Sequence, residues 1–245
     1  MLSQAFATLS ALRPLVLAYV AVNCAISFFE TWVVDSPVTV ALYAPFGAVF
    51  CYCFYRKLVD VDIDQNRYKI FGKFAFWYIV LMGAVNFVVL YLLNFFLDAA
   101  PSGTQEFWLW WLALVPSSAL VYFVSDYFFE SVLPAQIFGK KTQFLAAPRR
   151  AVRQGSYLLP KFLGLYSPIS ALAAILFAAA LFVGPTGVPV TASGDFGPVS
   201  LILLVSSELA YVLAQAVLMV MMARAYMRDL REIGEIPAVE AEVFA

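Results

Sequence analysis

Long apolar stretches separated by short polar ones set the pattern of this chain. Six of them, near 15–34, 37–54, 74–97, 107–129, 162–184 and 199–223, are mostly free of charge. A helix rises 1.5 Å per residue, so a run of about 20 residues crosses a hydrocarbon layer of ~30 Å. Each stretch is therefore predicted to be a membrane-spanning helix. The breaks between them carry turn residues: Asp35-Ser36-Pro37 after the first, and a Gly- and Pro-rich stretch at 185–198 after the fifth.

The polar segments are not equivalent, and their difference sets a predicted orientation. Arg13, five cations in 55–73, six in 136–161, and Arg224, Arg228 and Arg231 together account for all 15 Lys and Arg. If six spans thread the bilayer from a cytoplasmic start, every one of these falls on the cytoplasmic side, as the resistance of Lys and Arg to translocation requires. Five or seven spans would split the cations between the two faces. The aromatic residues fit the same frame: Trp32, Trp108, Trp110 and Trp111 fall at the expected outer interface and Trp77 near the inner one. The fold expected is thus an all-α polytopic transmembrane bundle, with six spans and both termini cytoplasmic. It makes one integral membrane domain over 1–245, multi-pass in the inner (cytoplasmic) membrane.

Composition strengthens that picture. The chain is 63% hydrophobic and 13% charged, with a mean hydropathy of +0.86, more apolar surface than one water-facing core can hide. The opening MLSQAFATLSALRP lacks the basic start of a cleavable signal, so the first apolar run is expected to stay as a span. His is absent, which removes the commonest general base and transition-metal ligand. Cys24, Cys51 and Cys53 lie within apolar runs, and the single C-x-C has no second pair, so all three read as small buried hydrophobes. Gly-rich phosphate loops, G-x-S-x-G and H-E-x-x-H are missing, and the sequence points to no catalytic residue, metal or cofactor.

Between the fourth and fifth spans, the segment 136–161 (QIFGKKTQFLAAPRRAVRQGSYLLPK) holds Lys140, Lys141, Arg149, Arg150, Arg153 and Lys161 and no acid. Within it, 142–156 sets Phe144, Leu145 and Val152 among the cations. That pattern suits a helix lying in the interface with its apolar face in the acyl boundary, or else an ordinary basic loop. Residues 2–12, with Leu2, Phe6, Leu9 and Leu12, could form a second interfacial helix. The six cations are candidate contacts for anionic lipid headgroups, a nearer polyanion at this surface than nucleic acid.

Polar residues inside spans cost free energy and so mark candidate sites. Residue counting puts Asn23, Asn86, Ser117, Ser118 and Glu208 at similar depth, where converging faces would make a polar belt; the alternative is hydrogen-bonded glue between helices. Asp126 and Glu130, four apart on one helical face near the inner interface, form a candidate carboxylate pair. Cations of 136–161 would clamp it, or it would hold a metal or proton.

The second half of the chain resembles a known family. Pro134 closes a span; Ala147, Arg149 and Arg150 form a small-residue, Arg-rich segment; Gly155 and Tyr157 lead into the next span; and Tyr226, Asp229, Leu230 and Arg231 make a terminal Tyr-x-x-Asp-Leu-Arg. This order is similar to that of bacterial integral membrane proteins around the glycerophosphoryl diester phosphodiesterase membrane domain and the YciC-like proteins. The opening AFATLSALRPLVL also looks like the family's start. Pro148 departs from the pattern, and no phosphodiesterase domain is attached, so the resemblance implies a six-span fold without a hydrolytic activity. Three roles follow as expectations. The first is a non-catalytic accessory, scaffold or lipid-associated protein, with a membrane-protein partner or a second copy of itself as possible company. The second is a small transporter or lipid-handling protein built around Glu208. The third is an intramembrane enzyme with Asp126 and Glu130 as acid and base.

Overall fold

The computed structural model describes residues 1–30, 38–59, 67–99, 117, 120–137, 144–182 and 197–234. They are helical with short turns, and no strand occurs among them. In chain order the helices are α1 (Leu2–Ala11), α2 (Arg13–Glu30), α3 (Val38–Val59), α4 (Arg67–Ala99), α5 (120–128), α6 (Val132–Ile137), α7 (Ala146–Arg153), α8 (Gly155–Lys161), a π-helical turn Phe162–Tyr166, α9 (Ser167–Phe182) and α10 (Pro198–Glu232). Three helical stretches are long and apolar enough to cross a membrane: Tyr68–Val89, Gly155–Ala180 and Pro198–Glu232. A fourth arises if Leu2–Ala11 and Arg13–Ile26, bent by 90° against each other, are taken as one span. Most of the stretch 107–129 lies outside the described residues, as do Trp32, Trp108, Trp110, Trp111, Ser118, Lys140 and Lys141.

The bundle is built around α10. At 35 residues it is longer than a bilayer core requires, and its two halves differ. Up to about Tyr211, buried and exposed positions mix, as on a helix that faces lipid on one side; from Ala214 to Ala223 every side chain is buried. A helix enclosed on all sides has to be apolar on all sides. The sequence AQAVLMVMMA provides this with alanines that let neighbouring helices approach and methionines that fill irregular gaps. α9, α2, α3 and α1 pack around it, with α6, α7 and α8 at its C-terminal end.

Aromatic stacking sets the spacing of the outer helices. Tyr19 of α2 stacks on Phe50 of α3, with ring centroids 4.5 Å apart. Tyr52 of α3 meets Phe71 and Phe74 of α4 edge-on. Where α3 passes α4, the chain needs glycine: a Cβ at Gly47 would lie 2.2 Å from the hydroxyl oxygen of the buried Tyr78. Pro160 lies inside α8, where it removes a backbone donor, and the π-helical turn follows directly after it. That turn points Phe162 and Tyr166 into the core.

The segment expected to lie in the interface is α7. It turns Ala147, Arg150 and Ala151 inward and leaves Leu145, Val152, Arg149 and Arg153 exposed. Pro148 falls in its first turn, where a backbone N–H has no helical partner anyway, so the residue that broke the sequence pattern does not break the helix. Phe144 departs from the expected lipid-facing role. It is sandwiched between Trp77, at 5.4 Å, and Phe129, at 5.0 Å, because two flat rings on α4 and after α5 leave a slot that a third ring fills.

Gly47→Ala is expected to destabilise the fold by about 1–3 kcal/mol, since the added methyl forces the buried ring of Tyr78 to shift. Combined with Tyr78→Leu, the two losses should be less than additive in detergent unfolding titrations. Strict additivity would mean that the two helices do not meet at this point.

Candidate functional site

At the C-terminal end of α10 one buried carboxylate organises three helices. Asp229 is 1% exposed. Its Oδ2 accepts hydrogen bonds from Arg150 Nε at 3.1 Å and Arg153 Nη2 at 2.9 Å, and its Oδ1 lies 2.8 Å from Arg153 Nη2. Arg150 Nη1 also donates to the carbonyl and hydroxyl oxygens of Ser131, at 3.2 and 2.9 Å. Its guanidinium stacks on the ring of Tyr226, 4.5 Å from the centroid. Ala147 and Ala151, one residue type with no reach, flank Arg150 and let α7 close on the bundle. Six of the residues that carry the family resemblance, Pro134, Ala147, Arg150, Tyr226, Asp229 and Leu230, are buried at this end.

This geometry corrects two expectations. Arg150 is not a headgroup contact: it is 7% exposed and its donors are taken by Asp229 and Ser131. Nor do the described cations of 136–161 clamp Asp126 and Glu130. Asp126 instead accepts a hydrogen bond from the hydroxyl of Tyr166, which the π-helical turn presents to it. Glu130 is buried in the turn after α5, and among the described residues neither its Oε1 nor the hydroxyl of Tyr55 has a hydrogen-bond partner. Of the described cations, Arg150 and Arg153 miss this pair because α7 directs them to Asp229 of α10.

The expected polar belt is divided. Asn23 of α2 donates from Nδ2 to Glu208 Oε2 of α10 at 3.2 Å, joining residues 185 positions apart in the chain. Asn23 is buried and Glu208 half-buried. Asn86 turns back on its own helix and donates to the carbonyl of Met82 at 2.9 Å. Ser117 is half-buried. Nearby, Ser207 ties α10 to α9 through a hydrogen bond to the Ala173 carbonyl at 3.0 Å.

Lys161, Arg224 and Arg228 form a second group near this end of α10 and make no ion pair with Asp229. Lys161 Nζ lies 3.3 Å from the ring centroid of Tyr157, and Arg228 Cζ 4.5 Å from the same ring. Arg224 donates twice to Gln4 Oε1 of α1, at 3.1 and 2.9 Å. Of these, Lys161 was foreseen as a headgroup contact; Arg224, Arg228 and Tyr157 were not. The signal for the two arginines was their spacing of four along α10, which puts them on one face, while Asp229 sits about 100° round the helix from Arg228.

Among the described residues no group of three or more His, Cys, Asp or Glu is placed to hold a metal. Cys24, Cys51 and Cys53 are free thiols, the first two buried. The chain matches no protein-family model, no curated protein and no solved structure.

Asp229→Asn is expected to cost about 3–5 kcal/mol, because the Arg150 charge stays buried and unpaired, and Arg150→Ala less, because Asp229 keeps its ion pair with Arg153. Arg153→Ala should cost about 1 kcal/mol or less, since that side chain is 47% exposed. Unfolding titrations of the three variants in mild detergent test the order; equal losses would refute it.

Proposed function

We propose that the chain is a non-catalytic integral protein of a bacterial inner membrane, an accessory or lipid-associated component whose cationic end meets anionic headgroups. In this reading six helices span the bilayer and both termini are cytoplasmic, as the one-sided distribution of Lys and Arg requires. The observation that carries it is the grouping of Lys161, Arg224 and Arg228, none of which pairs with a carboxylate among the described residues. A cation at a membrane surface gains about 1 kcal/mol from anionic lipids, so such a group favours that leaflet. Exposed Leu145 and Val152 beside Arg149 and Arg153 on α7 support the same contact, with apolar side chains available to the acyl boundary. The likeness to the membrane domain of glycerophosphoryl diester phosphodiesterases is in keeping with this reading and adds no reaction to it. A membrane-protein partner or a second copy of the chain would bind alongside the lipid.

A second reading, a small transporter or lipid-handling protein, draws on the hydrogen bond between Asn23 and Glu208. An ionisable group inside a span is costly to keep without a use.

Two experiments separate these roles. Purification in mild detergent is expected to recover lipid enriched in anionic headgroups over the bulk membrane, and reporter fusions at either end should both read cytoplasmic. Lipid-free protein, or an external terminus, would defeat the first reading. If Glu208 serves transport, Glu208→Gln abolishes flux in proteoliposomes while the protein stays folded; unchanged flux removes that role.

A further inference from the structure

We infer that Lys161, Arg224 and Arg228, arranged about the ring of Tyr157, form a cradle for a single phosphate group. The inference rests on the headgroup-facing reading above and narrows it to one site and one chemistry. Two pairs of residues spaced by four produce the cradle. Tyr157 and Lys161 share a face of α8, and Arg224 and Arg228 share a face of α10. Packing of α8 on α10 brings the two faces together, so that an ammonium and a guanidinium both lie against one ring, at 3.3 and 4.5 Å from its centroid. Arg224 and Arg228 are both within electrostatic reach of Lys161.

Among the described residues no carboxylate forms an ion pair with Lys161, Arg224 or Arg228. Asp229 is taken by Arg150 and Arg153, and Glu232 accepts a hydrogen bond from Gln154 at 2.7 Å. Gln4 fixes the direction of the Arg224 guanidinium through two hydrogen bonds, but as a neutral acceptor it leaves the charge in place. The π face of Tyr157 offsets part of the repulsion between its two cations. A bound anion would offset the rest.

The donor set favours phosphate over carboxylate. The Arg228 guanidinium, the Arg224 donors that Gln4 leaves free and the Lys161 ammonium outnumber what a planar carboxylate with two oxygens accepts, and suit a tetrahedral group with several free oxygens better. Arg228 is exposed, while Arg224 and Lys161 are half-buried, so the cradle is open on one side and anchored on the other. The phosphate could belong to a phospholipid headgroup or to a soluble phosphate compound in the water beside it.

The test uses the full chain in phosphatidylcholine nanodiscs, with dioleoyl phosphatidic acid added and bound lipid counted by native mass spectrometry. Arg228→Gln and Lys161→Gln are each expected to lower phosphatidic acid occupancy about ten-fold, the scale of one lost charge-assisted hydrogen bond. Lys73→Gln, an exposed cation on α4, should leave it unchanged. Equal losses in all three variants, or none, would overturn the cradle. If wild type holds phosphatidic acid no better than phosphatidylcholine, the headgroup-facing reading falls with it; if it does and the cradle variants match wild type, only the cradle falls. Displacement by millimolar inorganic phosphate would assign the site to a soluble source, and resistance to it would assign it to lipid. Since Arg228 is exposed, its replacement uncovers no core. Should Lys161→Gln unfold, Arg228→Gln and Arg228→Lys decide the question, with Lys expected to retain more lipid than Gln.

Discussion

A buried carboxylate at the end of a buried helix is the constraint on which this bundle turns. The stretch Ala214–Ala223 of α10 is enclosed on every side, and Asp229 just beyond it is 1% exposed and left without water. An unpaired charge there would cost several kcal/mol, so α7 has to bring Arg150 to it. Once Arg150 is in place, its remaining donors fix Ser131 and with it the turn between α5 and α6. One ion pair thus sets the position of three elements that hydrophobic burial alone, which has no direction, would leave free to slide.

The same pairing decides where the uncompensated charge goes. Successive residues on a helix point about 100° apart, so Asp229 and Arg228 face different neighbours although they are adjacent in the chain. Asp229 faces α7 and draws in two arginines. Arg228 and Arg224 face α8 and α1, where they meet Lys161, Tyr157 and Gln4 and no described carboxylate. The described cations at this end are therefore the ones left over once Asp229 is paired with α7.

Inside the bundle, polar groups are handled without cations. Asp126 takes a phenol hydrogen bond from Tyr166, and Glu208 takes an amide hydrogen bond from Asn23. A neutral donor satisfies a carboxyl group without importing a second charge into low dielectric. Aromatic rings do the remaining work of spacing: the stack of Trp77, Phe144 and Phe129 joins α4 to the segment before α7, and Tyr19 on Phe50 joins α2 to α3.

Local properties of the chain determined its helices and the clustering of its Lys and Arg in the polar segments. The hydropathy of a run depends on its own residues, so α2, α3, α4, α9 and α10 fall where the apolar stretches are, and α7 where small residues and cations mix. Glu208 could be singled out for the same reason, because an acid in an apolar run is visible without a partner. Partners were another matter. Arg150 and Asp229 stand 79 positions apart, and which of several cations reaches which acid depends on the faces that meet, on two alanines small enough to let α7 approach, and on a π-helical turn that aims Tyr166 at Asp126. Those are properties of packing between elements, and only the tertiary structure decided them.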